Sequence, residues 1–65
     1  MKTITFIDNE SGDEAVAVVR KAGNSIGLTL SLRSGSDTEV FMQEQTAQEL
    51  VNALMDIISN EQKLI

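Results

Sequence analysis

Strict alternation along one segment limits the fold of this chain more than any other feature. From Ile26 to Arg33 the sequence reads IGLTLSLR, with a large aliphatic residue at every second position. A β-strand turns alternate side chains to opposite faces, whereas a helical period of about 3.6 would scatter the leucines around the helix. The segment predicts a strand over 26–33 with one leucine-rich face. Gly27, inside this strand, indicates a bulge or a close backbone approach.

Three more segments have strand character. Residues 2–7 alternate, residues 14–21 are apolar on both faces, and residues 38–42 are rich in β-branched and aromatic side chains. The segments between the strands (DNESGD, AGNS and SGSD) contain the Gly, Asn, Asp and Ser residues that favour turns. Strands joined by short turns pair as antiparallel neighbours, so the chain predicts a β-meander of three to four strands.

The hydrophobic period changes near residue 44. From 44 to about 60, apolar residues recur every three or four positions and form one stripe of an amphipathic helix, here called the helix stripe: Ala47, Leu50, Val51, Leu54, Ile57 and Ile58. The predicted fold class is α+β, with a three- to four-stranded antiparallel sheet packed by one C-terminal amphipathic helix. The chain is predicted to form a single domain, 1–65, with the helix on the leucine-rich face.

The chain is short enough that its stability becomes a constraint. A domain of this size buries only about 60% of the surface of its unfolded chain, and such domains commonly rely on disulfides, a metal or association. The 65 residues include no Cys and no His, which removes disulfides and the usual zinc ligands. Association is the remaining common route, so we expect a homo-oligomer.

The charge balance bears on partners and location. Ten acidic residues against five basic ones leave a formal net charge of −5, which repels nucleic-acid phosphates and disfavours a nucleic-acid partner. No apolar run approaches the roughly 20 residues that cross a bilayer, and no signal-peptide pattern opens the sequence. We therefore expect a cytoplasmic protein without membrane association.

The sheet face opposite the leucines is the predicted interface. It carries valines that one helix cannot also cover, and an uncovered apolar face is typical of an interaction surface. The candidates for an oligomer interface are Val16, Val18 and Phe41, together with Leu64 and Ile65 if the helix stripe continues. The alternative is that the N-terminal strand folds over this face and closes it.

Catalysis has no basis in the residues present. Without Cys or His there is no Ser-His or Cys-His pair, and no dinucleotide or Walker fingerprint occurs. We predict a non-enzymatic protein with no catalytic residue, no cofactor and no metal site. Carboxylates of the first loop could coordinate a hard cation, but their spacing does not match an EF-hand and a solvated loop is favoured: Asp8, Glu10, Asp13 and Glu14.

Basic residues form one candidate ligand site. Arg20, Lys21 and Arg33 are predicted to lie close together if the strands pair around Gly23 and Asn24. With Asn24, these three side chains could hold a small anionic ligand between subunits. The favoured alternative is that they pair with acidic residues of neighbouring strands, among them Glu14 and Glu39.

Two resemblances accompany these patterns. The segment Arg20 to Ser31, RKAGNSIGLTLS, resembles the opening hairpin of AbrB/MazE-type antitoxins and transition-state regulators, which implies a swapped-hairpin dimer that binds DNA. That family usually has Pro where this chain has Ser31, and continues into another strand pair instead of a long helix. Ala15 to Ile58 resembles small bacterial and phage proteins built as GLTLSL, a turn, EVF and an amphipathic helix, which implies the fold alone.

These observations predict a non-enzymatic binding protein that acts as a homo-oligomer. By size, acidity and lack of catalytic groups it is similar to phage-type inhibitors or sequestering proteins, which block a protein or hold a small anionic ligand between subunits. The alternative is an AbrB/MazE-like antitoxin or transcriptional regulator that binds DNA through the hairpin 20–25.

Overall fold

The computed structural model describes residues 1–63 as one antiparallel sheet and one helix. The sheet has four strands in the order β1-β2-β3-β4, so each strand pairs with its neighbour in sequence. The elements are β1 (Lys2–Ile7), β2 (Glu14–Ala22), β3 (Ser25–Leu32), β4 (Thr38–Met42) and α1 (Glu44–Lys63). The predicted α+β meander is confirmed.

A two-residue turn sets the register of the central hairpin. Ala22 pairs with Ser25, which leaves Gly23 and Asn24 as the loop. Gly23 has a φ of +61°, and glycine takes a positive φ at the first central position of a hairpin turn without steric cost. The strands therefore pair around the predicted residues.

β1 is an edge strand that lies beside β2 in the plane of the sheet. Its register places Ile4 opposite Ala17 and Phe6 opposite Ala15. The alternative in which the N-terminal strand folds over the valine-bearing face is therefore wrong. The physical reason is the short loop between the strands: Asp8 N–H donates to the Asp13 carbonyl at 2.9 Å, so the chain returns directly to the adjacent strand.

Directly opposed residues share a face of an antiparallel sheet, so the register defines two faces. The leucine face has Lys2, Lys21 and Thr38 at its margins, and its apolar residues are Ile4, Phe6, Ala15, Ala17, Val19, Ile26, Leu28, Leu30, Leu32, Val40 and Met42. The valine face consists of Thr3, Thr5, Ile7, Glu14, Val16, Val18, Arg20, Ala22, Ser25, Gly27, Thr29, Ser31, Glu39 and Phe41. Polar residues occur on the leucine face only at its margins, whereas the valine face is mixed throughout.

The helix leaves most of the leucine face open, contrary to the expectation that it would cover this face. α1 contacts the sheet chiefly at β3, and Leu30 in the leucine face remains 51% exposed. The exposed fractions of Leu50 and Ile57 in the helix stripe are 42% and 61%. Among the side chains of residues 1–60, Ala15 is the one hydrophobic side chain that is buried. A single chain therefore does not complete its own core.

The chain is flat and extended for its length. Its radius of gyration is 13.7 Å and its smallest dimension is 15 Å, whereas a compact domain of this length has a radius of gyration of about 11 Å. The accessible surface is 5426 Å², and a compact monomer of 7.1 kDa exposes about 4,100 Å². The chain thus exposes about 1,300 Å² that a compact monomer of its mass would bury. Within residues 1–63, no helix combines the length and hydrophobicity needed to cross a bilayer.

Candidate functional site

The leucine face and the helix stripe together form an exposed apolar surface. The exposed large side chains on it are Ile4, Phe6, Leu30 and Val40 on the sheet and Leu50, Val51, Leu54, Ile57 and Ile58 on the helix. Soluble monomers rarely expose contiguous apolar patches larger than a few hundred Å². This surface is the main candidate site. The sequence patterns did not indicate this site, because the helix and the leucine face were expected to cover each other.

A one-residue link determines where the helix lies. β4 ends at Met42 and α1 begins at Glu44, and Ala47 N–H already donates to the Gln43 carbonyl at 3.0 Å. An ion pair between Lys21 and Glu44 also ties the first turn to the end of β2. The hydrogen bond from the Lys21 ammonium lowers the pKa of the Glu44 carboxyl, because it favours the charged form. The helix is thus anchored at its N-terminus, and the rest of its stripe lies away from its own sheet.

The predicted interface residues of the sheet lie together on the valine face. Val16, Val18 and Phe41 share this face by register, and Phe41 is exposed while the two valines are half-buried. Leu64 and Ile65 lie outside the described residues. The role of these five residues in an interface stays a prediction.

A cross-strand cluster joins β2, β3 and β4 on the valine face. The Arg20 guanidinium donates to Glu39 Oε2 from Nη2 at 2.9 Å and lies 5.4 Å from the centroid of the Phe41 ring. Thr29 Oγ1 donates to the same carboxylate oxygen at 3.0 Å. The hydrogen bonds from Arg20 and then Thr29 lower the pKa of the Glu39 carboxyl. The cluster holds an arginine and an aromatic ring side by side on the surface, and both residue types are enriched at protein interfaces.

Gly27 has an explanation within this cluster. A Cβ atom at Gly27 would lie 3.0 Å from Phe41 Cε1 and 3.4 Å from Arg20 Cγ. Gly27 is paired in regular register with Arg20 on β2 and with Phe41 on β4. The predicted close approach is therefore present, and there is no bulge at this position. The group that approaches is the chain's own Phe41 ring.

Gly27→Ala is expected to have opposite effects in two backgrounds. With Phe41 present it should lower the free energy of unfolding, because the added methyl group displaces the ring from its position beside Arg20. In a Phe41→Ala background it should raise stability by about 0.5–1 kcal/mol, since alanine loses less backbone entropy than glycine. Urea denaturation of the four proteins in the double-mutant cycle, at one chain concentration, measures both effects. The same sign in both backgrounds would show that the ring does not require this glycine.

The predicted cluster of cations is wrong in its geometry. Arg20 and Lys21 point to opposite faces because they are adjacent in β2. Arg33 forms an ion pair with Glu14 at the other end of the hairpin, with 3.4 Å between Nη1 and Oε2. This pair lies about 20 Å along the strand from the residue opposite Arg20. Asn24 is exposed in the β2–β3 turn. The pairing of Arg20 with Glu39 and of Arg33 with Glu14 is the arrangement that the alternative interpretation predicted.

The acidic first loop is held by its own hydrogen bonds. Both the amide and the hydroxyl of Ser11 donate to Asp8 Oδ2, at 2.9 Å and 2.7 Å, and the hydroxyl bond lowers the pKa of Asp8. Asp13 accepts a hydrogen bond from Ser34. Across residues 1–63, no three acidic side chains are grouped as they would need to be to hold a metal ion.

Two open depressions lie at the end of the sheet where β2 begins and β3 ends. One of about 600 Å³ is lined by the Glu14–Arg33 pair together with Thr5, Ile7 and Val16. A second of about 280 Å³ is lined by Phe6, Ala15, Leu30 and Leu32 of the leucine face together with Asp8, Val16, Ser31 and Ser36. The first has a mixed lining without convergent catalytic groups, and the second borders the leucine face at Phe6 and Leu30.

Comparison with known protein families, with curated proteins and with solved structures finds no match to this chain. The resemblances to AbrB/MazE-type hairpins and to small phage proteins therefore stay predictions.

Proposed function

We propose that this chain is a non-enzymatic interaction protein that acts as a homo-oligomer. One observation carries the proposal: the leucine face and the helix stripe are both exposed in the single chain. The surplus of about 1,300 Å² over a compact monomer exceeds the roughly 800 Å² that each partner buries in a standard interface. Association of copies would bury this surface, and without Cys or His the chain has neither a Ser-His nor a Cys-His pair.

The valine face is the surface that we propose for a protein partner. It would remain exposed after self-association through the leucine face, and it carries Phe41, Arg20 and the two half-buried valines of β2. A protein partner is favoured over a small anion because Arg20, Lys21 and Arg33 each already bond to a carboxylate. The same pairing, with the net charge of −5, weighs against DNA as the ligand. A phage-type inhibitor that blocks a protein is the role that this combination favours.

Native mass spectrometry of the protein purified from its own host tests the proposal. We expect a mass equal to two or more copies of the 7.1 kDa chain, plus the mass of any bound partner protein. Sedimentation equilibrium of the recombinant chain at micromolar concentration should give the same number of copies. A folded chain that sediments as a monomer at this concentration would overturn the proposal.

A further inference from the structure

Each chain has two apolar surfaces of different shape, and neither has a partner of its own. The leucine face is a broad, four-stranded sheet surface. The helix stripe is a row of side chains on a single helix. A sheet face must pack against another layer to form a stable domain. Stacking two leucine faces directly would leave both stripes exposed, and pairing two helices would leave both leucine faces exposed. Packing each helix on the sheet of the other copy covers all four surfaces at once.

The helix contacts its own sheet chiefly at β3 and leaves most of its own leucine face uncovered. The link between β4 and α1 is the single residue Gln43, and its carbonyl already accepts a helical hydrogen bond from Ala47. The Lys21–Glu44 ion pair holds the first turn at the end of β2. Ala47 is half-buried beside this anchor, whereas the exposed fraction of Ile57, three turns later, is 61%. The stripe therefore separates from its own sheet along the helix.

The stripe and the leucine face match in size and in polarity. From Ala47 to Ile58 the stripe extends about 16 Å at 1.5 Å per residue. Four strands extend about 14 Å across the sheet at a spacing of about 4.8 Å. The charged residues Glu49 and Asp56 lie on the opposite side of the helix, and Lys2 and Lys21 lie at the margins of the leucine face. Contact between the two surfaces therefore buries no unpaired charge, which would otherwise be costly.

We propose that two copies form a two-fold dimer in which α1 of each copy lies across the leucine face of the other. The helix stripe of one chain and the leucine face of its partner then close two equivalent cores. The depression lined by Phe6, Ala15 and Leu30 lies within the surface that the partner helix covers. The inference rests on the proposed homo-oligomer and specifies its architecture.

Cross-linking of single-cysteine variants tests the exchange of helices. The natural chain contains no Cys, so each introduced thiol is the only reactive one. Ala17→Cys places a thiol in the centre of the leucine face, and Leu54→Cys places one in the centre of the stripe. The two variants are unfolded, mixed, refolded together and treated with a short bismaleimide. We expect a covalent dimer in which position 17 of one chain is joined to position 54 of the other.

One control variant and two alternative cross-linking results decide between the possible occupants of the leucine face. Asn52→Cys, on the polar side of the helix, replaces Leu54→Cys and should give no link to position 17. A double variant carries both Ala17→Cys and Leu54→Cys in the same chain. In this variant, a link within one chain would show that the helix closes over its own sheet. Links joining position 17 to position 17 would show that two leucine faces stack directly. Either of these results overturns the exchange while leaving the homo-oligomer in place, whereas a monomer in sedimentation overturns the proposed function itself.

The unmodified chain provides a second measurement. In a refolded mixture of ¹³C-labelled and unlabelled copies, isotope-filtered NOEs report only contacts between chains. We expect such NOEs between methyl groups of Leu54 or Ile57 in one copy and Leu28 or Leu30 in the other. Detection of these contacts only within one chain would overturn the exchange without any substitution.

Discussion

Leu54→Asp is expected to raise the dissociation constant for self-association by about 1,000-fold or more. Leu54 lies in the middle of the helix stripe, and its exposed fraction in the single chain is 56%. Burial of a leucine contributes about 2 kcal/mol, and a two-fold interface contains the substitution twice. The loss of about 4 kcal/mol corresponds to roughly three orders of magnitude in Kd. Desolvation of the new carboxylate adds to this loss. Sedimentation equilibrium across a concentration series measures it.

The matched control for this variant is Asn52→Asp. It introduces the same charge two residues earlier in the same helix, on the side away from the stripe. Gln48 Nε2 donates to Asn52 Oδ1 at 3.0 Å, and an aspartate at this position keeps the acceptor oxygen. Any effect of net charge or of the helix dipole is therefore shared by the two variants, while burial is not. We expect the dissociation constant of Asn52→Asp to stay within a few-fold of the natural chain.

The result would contradict the proposed interface if both variants weakened association to the same extent. Net charge would then control assembly, and the helix stripe would not. If Leu54→Asp and the natural chain instead form assemblies of equal mass across the sedimentation series, the contact lies elsewhere. The valine face, with the predicted residues Val16, Val18 and Phe41, would then be the next surface to test. Phe41→Asp, followed by the same sedimentation series, addresses that face.

The strands could be predicted because their evidence is local. The alternation from Ile26 to Leu32 fits a period of two residues, which is that of a β-strand. Turn residues lie on both sides of this segment, so its register also follows from neighbouring residues. The sheet order follows as well, since strands joined by short turns pair with their neighbours. The helix follows from the spacing between Ala47 and Ile58.

The position of the helix could not be predicted from these patterns. A hydrophobic stripe indicates that a surface is to be buried, but it does not say by which chain. That depends on the geometry of the link at Gln43 and on the Lys21–Glu44 ion pair, which periodicity does not contain. The prediction that the helix covers its own sheet assumed that one chain forms one core.

The predicted basic cluster is inconsistent with the predicted turn. The turn at Gly23 and Asn24 places Gly27 opposite Arg20 and Leu32 opposite Ala15, so Arg33 lies at the other end of the hairpin from Arg20. The partners of these arginines were predictable because Glu39 and Glu14 lie on adjacent strands. The contact between Phe41 and Gly27 could be sought from the glycine itself, since a glycine inside a strand leaves room that a ring on the next strand can occupy.

The melting temperature is expected to rise with protein concentration, by about 5 °C for each tenfold increase. If the single chain leaves its core incomplete, folding and association occur together, and the dimer is stabilised by mass action. A tenfold increase in chain concentration raises the apparent free energy of unfolding by about 1.4 kcal per mole of dimer. The unfolding entropy of a dimer of this size, about 0.27 kcal/mol/K, converts that energy into the expected shift. Circular dichroism or calorimetry from 1 to 100 μM measures it.

A covalently linked dimer separates coupled folding from simple aggregation. Once position 17 of one chain is joined to position 54 of the other, unfolding becomes unimolecular and its midpoint should no longer depend on concentration. The linked species should also melt above the natural chain at every concentration tested, because the link removes the entropy lost on association. A natural chain whose midpoint is flat over this range would have to fold alone. In that case the exposed large side chains of the leucine face and the helix stripe would need a different partner, and the helix would be the first element to examine for it.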